Sequence, residues 1–236
     1  GARSTAIKVV GFNLRHHRLL QAAREVVASG TLGRLELARS IFTTDIRLTR
    51  QLPDWRNTRS TGGGVLFELA THVFDLWRWL LMDEVEQVTA ISRPGDVDDS
   101  AAAITARLRG GTIATVQMSE RTTPMHQIEI FGERGRMRVS LYDFDGLEVV
   151  PLSTRPGSIR GRLDGILRTV RSLPAGVRGL TSGGDYVSTY ARQWHAFAGA
   201  LLRGHPAAAT LEDGRAAARI AIAAAESAEL GGRILK

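Results

Sequence analysis

The hydrophobic pattern of this chain changes period at about residue 84, and that change narrows the folds open to it. From Val65 to Leu81 the apolar residues recur with helical spacing. Beyond it, Val85 to Ser92, Ala102 to Arg109, Thr112 to Ser119, His126 to Phe131 and Arg136 to Tyr142 alternate with period 2. Pro94-Gly95, Gly110-Gly111, Pro124 and Gly132 to Gly135 mark the turns between them. Met137, Val139 and Leu141 face one way while Arg136, Arg138 and Ser140 face the other, so one side of the sheet is buried. Short turns predict a meander. The fold class expected is α+β: an open, mostly antiparallel β-sheet with helices packed on one face. The other face is left for solvent or a second subunit.

The flanking segments fit that plan. Asn13 is placed to cap a helix from Leu14 to Ser29, which Gly30 ends, and the pair His16-His17 reads as surface histidines. A strand is expected from Leu35 to Arg47. In the C-terminal part Tyr186, Tyr190, Trp194, Phe197 and Leu201 form a helical stripe that reads as core. Thr210 with Asp213 resembles a capping box opening an alanine-rich helix that closes near Gly231.

The chemistry concentrates at Gly62-Gly63-Gly64 and the helix that follows. Three glycines leave the backbone bare for close approach, and Glu68, His72, Asp75 and Trp79 then fall on one stripe of the helix. A carboxylate one turn before an imidazole and another one turn after it can orient the ring and raise its proton affinity, the equipment of a general acid/base. The same spacing also fits a merely solvated helix face. The preceding stretch, Gln51 to Thr61, contains Trp55, a stacking face, and Arg56, a fork of donors suited to hydroxyls or anions; a core plug and a local ion pair are the alternatives. A metal site is not expected, since one imidazole and no thiolate are offered.

Composition excludes several classes. The 236 residues, 43% hydrophobic, are enough for a sizeable core, and the absence of cysteine removes disulfides and thiolate chemistry. The net charge of +7 is almost all arginine, since Lys8 and Lys236 are the only lysines, and it is interleaved with acids. No nucleic-acid or membrane partner is expected, and the chain reads as cytoplasmic. Ser153 to Gly184 is the local exception: Arg155, Arg160, Arg162, Arg168, Arg171 and Arg178 face the single acid Asp164. Its helical spacing fits a basic amphipathic segment lying across its own domain or a partner subunit.

Taken in order, Gly11-Phe12-Asn13-Leu14-Arg15, Gly30-Thr31-Leu32-Gly33, Asp54-Trp55-Arg56, the triple glycine with Glu68, His72 and Asp75, and Leu211-Glu212-Asp213-Gly214 before Glu226-Ser227 resemble the C-terminal domain of the Gfo/Idh/MocA oxidoreductases. The resemblance implies that residues 1–12 are the last strand of a Rossmann domain and its crossover, and 13–236 the substrate domain. It further implies that His72 exchanges a proton with a substrate hydroxyl while hydride passes to or from NAD or NADP, with Glu68 where many members carry Asp. Asp75, Arg56, Trp55, Asn13 and Arg15 are implied walls of the site. The substrate implied is a small sugar, polyol or inositol, and the assembly a homo-oligomer formed through the sheet face. No G-x-G-x-x-G turn and no Glu-Lys-Pro occurs in the chain, so on this likeness the cofactor is held elsewhere and the chain is inactive alone. The alternative is a non-catalytic carbohydrate-binding or dimerisation module.

Overall fold

The computed structural model describes residues 6–142, 146–154 and 185–236. Seven strands are formed: β1 (Leu35–Thr43), β2 (Val85–Arg93), β3 (Ala101–Leu108), β4 (Ile113–Ser119), β5 (Met125–Gly132), β6 (Gly135–Ser140) and β7 (Gly146–Pro151). The helices are α1 (Arg18–Ala28), α2 (Ile46–Thr49), α3 (Val65–Glu68), α4 (Ala70–Leu81), α5 (Asp185–Arg203) and α6 (Leu211–Glu229).

The strands make one sheet in the order β2-β3-β4-β1-β5-β6-β7, and the expected α+β architecture is present. The plain meander is not. β1 inserts between β4 and β5, pairing parallel with β4 from Leu37 opposite Ile113 to Thr43 opposite Ser119, and antiparallel with β5. The segment from Glu120 to Pro124 therefore crosses one intervening strand, about 10 Å, instead of closing a hairpin. Ile104, Val116, Ile128, Ile130, Met137 and Val139 are buried on one sheet face, where α1, α4 and α6 supply the facing layer. Phe74 and Trp77 of α4 are among the largest fully buried side chains, each contributing about 2–3 kcal/mol by removal from water. On the opposite face Leu37 and Ile91 are more than half exposed, and no helix among the described residues is seen to cover them.

Several local expectations are corrected. Asn13 does not cap a helix: residues Asn13–His16 form a 3-10 turn, and the His17 ring caps α1 by accepting the Leu19 N–H at 3.3 Å. His16 and His17 are buried, because α5 comes back from far along the chain to pack on that turn and Arg192 donates to the His16 carbonyl at 3.2 Å. β1 stops at Thr43, where the Thr44 hydroxyl accepts the Ile46 N–H at 3.2 Å and starts α2, so Arg47 leaves the strand. Tyr186, Tyr190, Trp194 and Leu201 are exposed, not core, and among the described residues α5 packs chiefly on the 3-10 turn. The run Ile7 to Phe12 joins no ladder; the Val10 N–H donates instead to the Ala209 carbonyl at 3.1 Å. The capping box is present, with Thr210 and Asp213 bonded reciprocally. The arginine-rich stretch from residue 155 to 184 lies outside the described residues.

Candidate active site

The triple glycine answers two needs, positive φ at Gly62 and Gly64 and close packing at Gly63. Gly62 takes φ +88° and Gly64 φ +81°, both left-handed, while a side chain on Gly63 would run into the Arg56 backbone, 2.7 Å from its Cα. The Gly64 N–H donates to the Arg56 carbonyl at 3.2 Å and the Val65 N–H to the Asp99 carbonyl at 3.0 Å. Arg59 grips Asp99 through two bonds of 2.6 and 2.9 Å, tying the loop to the turn after β2. The start of α3, and with it Glu68 and His72, is thus held from both sides.

Glu68 does not serve His72. Its carboxylate is closed on Arg56 and faces Arg47 at 3.8 Å. Arg47 in turn pairs with the fully buried Glu120 just beyond β4 and donates to Asn57 Oδ1 at 3.0 Å and the Arg56 carbonyl at 2.6 Å. Two arginines and two carboxylates therefore neutralise one another beneath the glycine loop, and charge balance lets them be buried. Arg47 and Glu120 were not legible as members of the site. Arg47 reads as the end of a strand, and Glu120 is a lone acid after one.

Asp75 is elsewhere. It is 1% exposed and receives a bidentate fork from Arg15, at 2.5 and 2.9 Å, whose guanidinium also reaches Asp213 at 3.0 Å. Asn13 Nδ2 donates to Thr189 Oγ1 at 2.9 Å, and Arg24 lies over Trp79 at 4.8 Å. The expected stripe of Glu68, His72, Asp75 and Trp79 is thus divided among separate neighbours, because both flanks of α4 are covered. Trp55 is 53% exposed and fills no core position; Arg56 is paired.

His72 remains with neither carboxylate. Among the described residues no side chain hydrogen-bonds its ring; Phe12 meets it edge-on with centroids 6.1 Å apart. Nδ1 is sealed without a partner, leaving Nε2 as the ring nitrogen that is not sealed in. Burial pushes its proton affinity below the ordinary histidine value, the reverse of the rise expected from flanking acids. Such an imidazole is neutral at pH 7 and able to accept a proton at Nε2. His126, on the core-facing side of β5, is a second buried imidazole; a histidine at an inward position of an alternating strand was its only sequence signal. No group of acids and histidines among the described residues could hold a metal ion.

Comparison with known proteins bears on this arrangement. Residues 20–138, which include the glycine loop, Glu68, His72 and β1 to β5, match the model of the GFO/IDH/MocA C-terminal domain. The chain belongs to that family. It is 29% identical over 146 residues to myo-inositol 2-dehydrogenase of Thermotoga maritima, covering 57% of this chain and 41% of the relative. It is 26% identical over 230 residues to inositol 2-dehydrogenase of Rhizobium meliloti strain 1021, covering 93% and 62% respectively. The family fold is also seen in levoglucosan dehydrogenase solved with NADH and L-sorbose, at TM-score 0.73, 19% identity and coverage of 99% of this chain and 66% of that one. The chain spans less than two thirds of the length of the curated relatives it matches.

Proposed function

We propose that this family member is the substrate-side domain of an NAD(P)-dependent oxidoreductase acting on a hydroxyl of a small sugar, polyol or inositol, with His72 as its acid/base. The observation that carries the reading is the His72 ring: Nδ1 enclosed and Nε2 not, at the N-terminal end of a helix held in place by the glycine loop. The inositol dehydrogenases it resembles and the sugar-bound relative supply the substrate class.

In oxidation the substrate O–H bond gives its proton to Nε2 of the neutral ring, and the carbon's hydride leaves with its electron pair as the C=O forms. A nicotinamide dinucleotide supplies the hydride acceptor, and on this reading its phosphates are bound outside the described residues. A lowered proton affinity suits His72 to return the proton to water after each turnover. The Arg47, Arg56, Glu68 and Glu120 cluster holds the loop bearing Trp55, whose exposed ring is available to lie against a substrate. The open sheet face is where copies of the chain would join. Expressing the complete reading frame and assaying myo-inositol and related polyols with NAD and NADP, with His72→Ala beside the parent, tests the assignment. Equal turnover by the two proteins rejects it.

A further inference from the structure

A cavity of about 160 Å³ opens beside Arg47, where the stretch from Arg47 to Asn57 meets Asp96 and Val97 of the turn after β2 and Arg121 beyond β4. Its walls are joined by main-chain bonds. The Arg47 N–H donates to the Glu120 carbonyl at 3.2 Å, and the Asp98 N–H donates to the Asn57 carbonyl at 3.1 Å. The cavity therefore belongs to the folded framework and not to one loop. His72 does not line it.

Its charge is one-sided. Arg47, Arg50 and Arg121 line it against a single carboxylate, Asp96. A guanidinium carries five N–H donors. Arg47 uses one on Glu120, one on Asn57 Oδ1 at 3.0 Å and one on the Arg56 carbonyl at 2.6 Å. Glu68 lies 3.8 Å away, beyond hydrogen-bond reach, so a side chain only 6% exposed keeps donors with no acceptor among the described residues. Arg50 is exposed, and no carboxylate among the described residues pairs with it. Arg121 bridges to Asp96, but that carboxylate is 78% exposed and holds it weakly. The cluster of Arg47, Arg56, Glu68 and Glu120 is neutral within itself, so Arg50 and Arg121 against Asp96 leave one positive charge uncompensated. The volume is about half that at which sites for drug-sized ligands begin, roughly 300 Å³, which suits a compact ion of a few heavy atoms. Guanidinium forks match the paired oxygens of phosphate and carboxylate.

We propose that this cavity binds a small oxyanion, inorganic phosphate, held by Arg50 and Arg121 beside the incompletely bonded Arg47. The anion takes the place of Asp96 on Arg121 and ties α2 to the segment after β4. The proposal is independent of the acid/base reading of His72. Thermal unfolding of the full chain in sodium phosphate, against sodium chloride at equal ionic strength, tests it. With a Kd on the order of 1 mM, phosphate at ten times that concentration is expected to raise the midpoint by about 3–6 °C beyond the chloride control. Isothermal titration with phosphate and with acetate identifies the anion, and binding of acetate in place of phosphate overturns phosphate as the ligand. Arg50→Ala and Arg121→Ala should each weaken phosphate roughly tenfold, the loss of one charge-assisted contact. Asp96→Asn, which releases Arg121, should instead tighten it by up to about fivefold. Opposite changes at the two ends of one ion pair are not produced by general destabilisation. Equal stabilisation by chloride and phosphate overturns the proposal, as does an affinity that neither Arg50→Ala nor Asp96→Asn moves. Should Arg121→Ala not fold, those two variants decide it.

Discussion

The guanidinium of Arg56 closes on the carboxylate of Glu68, so the acid one helical turn before His72 meets a cation and not the imidazole. Arg56 lies in the loop that the glycines admit, and Glu68 ends α3. Their pairing makes the loop part of the helix's support, and it leaves His72 in a desolvated, uncharged setting.

Replacing His72 with Ala in the complete enzyme is expected to lower kcat by about 10²- to 10⁴-fold, the range for a positioned acid/base. Thermal unfolding should change little, because the ring makes no hydrogen bond among the described residues. Steady-state kinetics beside a melting curve checks both halves. A large drop in melting temperature would assign His72 to packing.

Glu120→Gln is expected to destabilise more than Glu68→Gln. The Glu120 side chain is fully buried against Arg47, itself 6% exposed, whereas Glu68 keeps 10% exposure beside an Arg56 of 19%. Removing one partner of a buried pair strands the other charge at a cost of about 3–5 kcal/mol. Urea denaturation of both variants gives the order, and equal losses contradict it.

Gly63→Ala and Gly62→Ala separate close approach from backbone strain. At Gly63 a methyl group would overlap the Arg56 backbone and displace the loop, for a loss of about 1–3 kcal/mol and of any activity that depends on it. At Gly62 nothing lies within 4 Å, and only the positive φ of +88° resists, at about 1–2 kcal/mol. Kinetics should therefore suffer at Gly63 and not at Gly62.

Stability should fall on acidification beginning near pH 6.5. His17 and His126 are held neutral by burial, with folded-state values of about 4 and about 3 against 6.5 unfolded. Below 6.5 the unfolded chain binds protons that the folded one refuses, so stability is complete above that pH and drains away down to about 4 for His17 and about 3 for His126. The slope is about 1.4 kcal/mol per pH unit for each such group. Denaturation midpoints between pH 7 and 4.5 measure it, and His126→Phe should make the slope shallower.

The chain's own pattern made the helical run from Val65 to Leu81, which the structure breaks at Leu69 into α3 and α4, the strands between Val85 and Tyr142 and the Thr210 cap legible, because each follows from local periodicity or a side chain bonding its own turn. The catalytic candidate His72 was legible for the same reason, as a histidine set on a helix behind three glycines. His126 left a trace, an imidazole among inward-facing aliphatics of a strand, with nothing in its neighbours along the chain to say what it faced.

What the sequence determined by itself is the class of fold and the order of most elements, since these depend on contacts within a few residues. Only the tertiary structure decided that β1 lies between β4 and β5, that Arg15 claims Asp75, and that Arg56 and Arg47 claim Glu68 and Glu120. Arg15 and Asp75 are 60 residues apart along the chain, and Arg47 and Glu120 are 73 apart. The partner of a buried charge is chosen by how distant elements close on one another, and helical spacing holds no information about that.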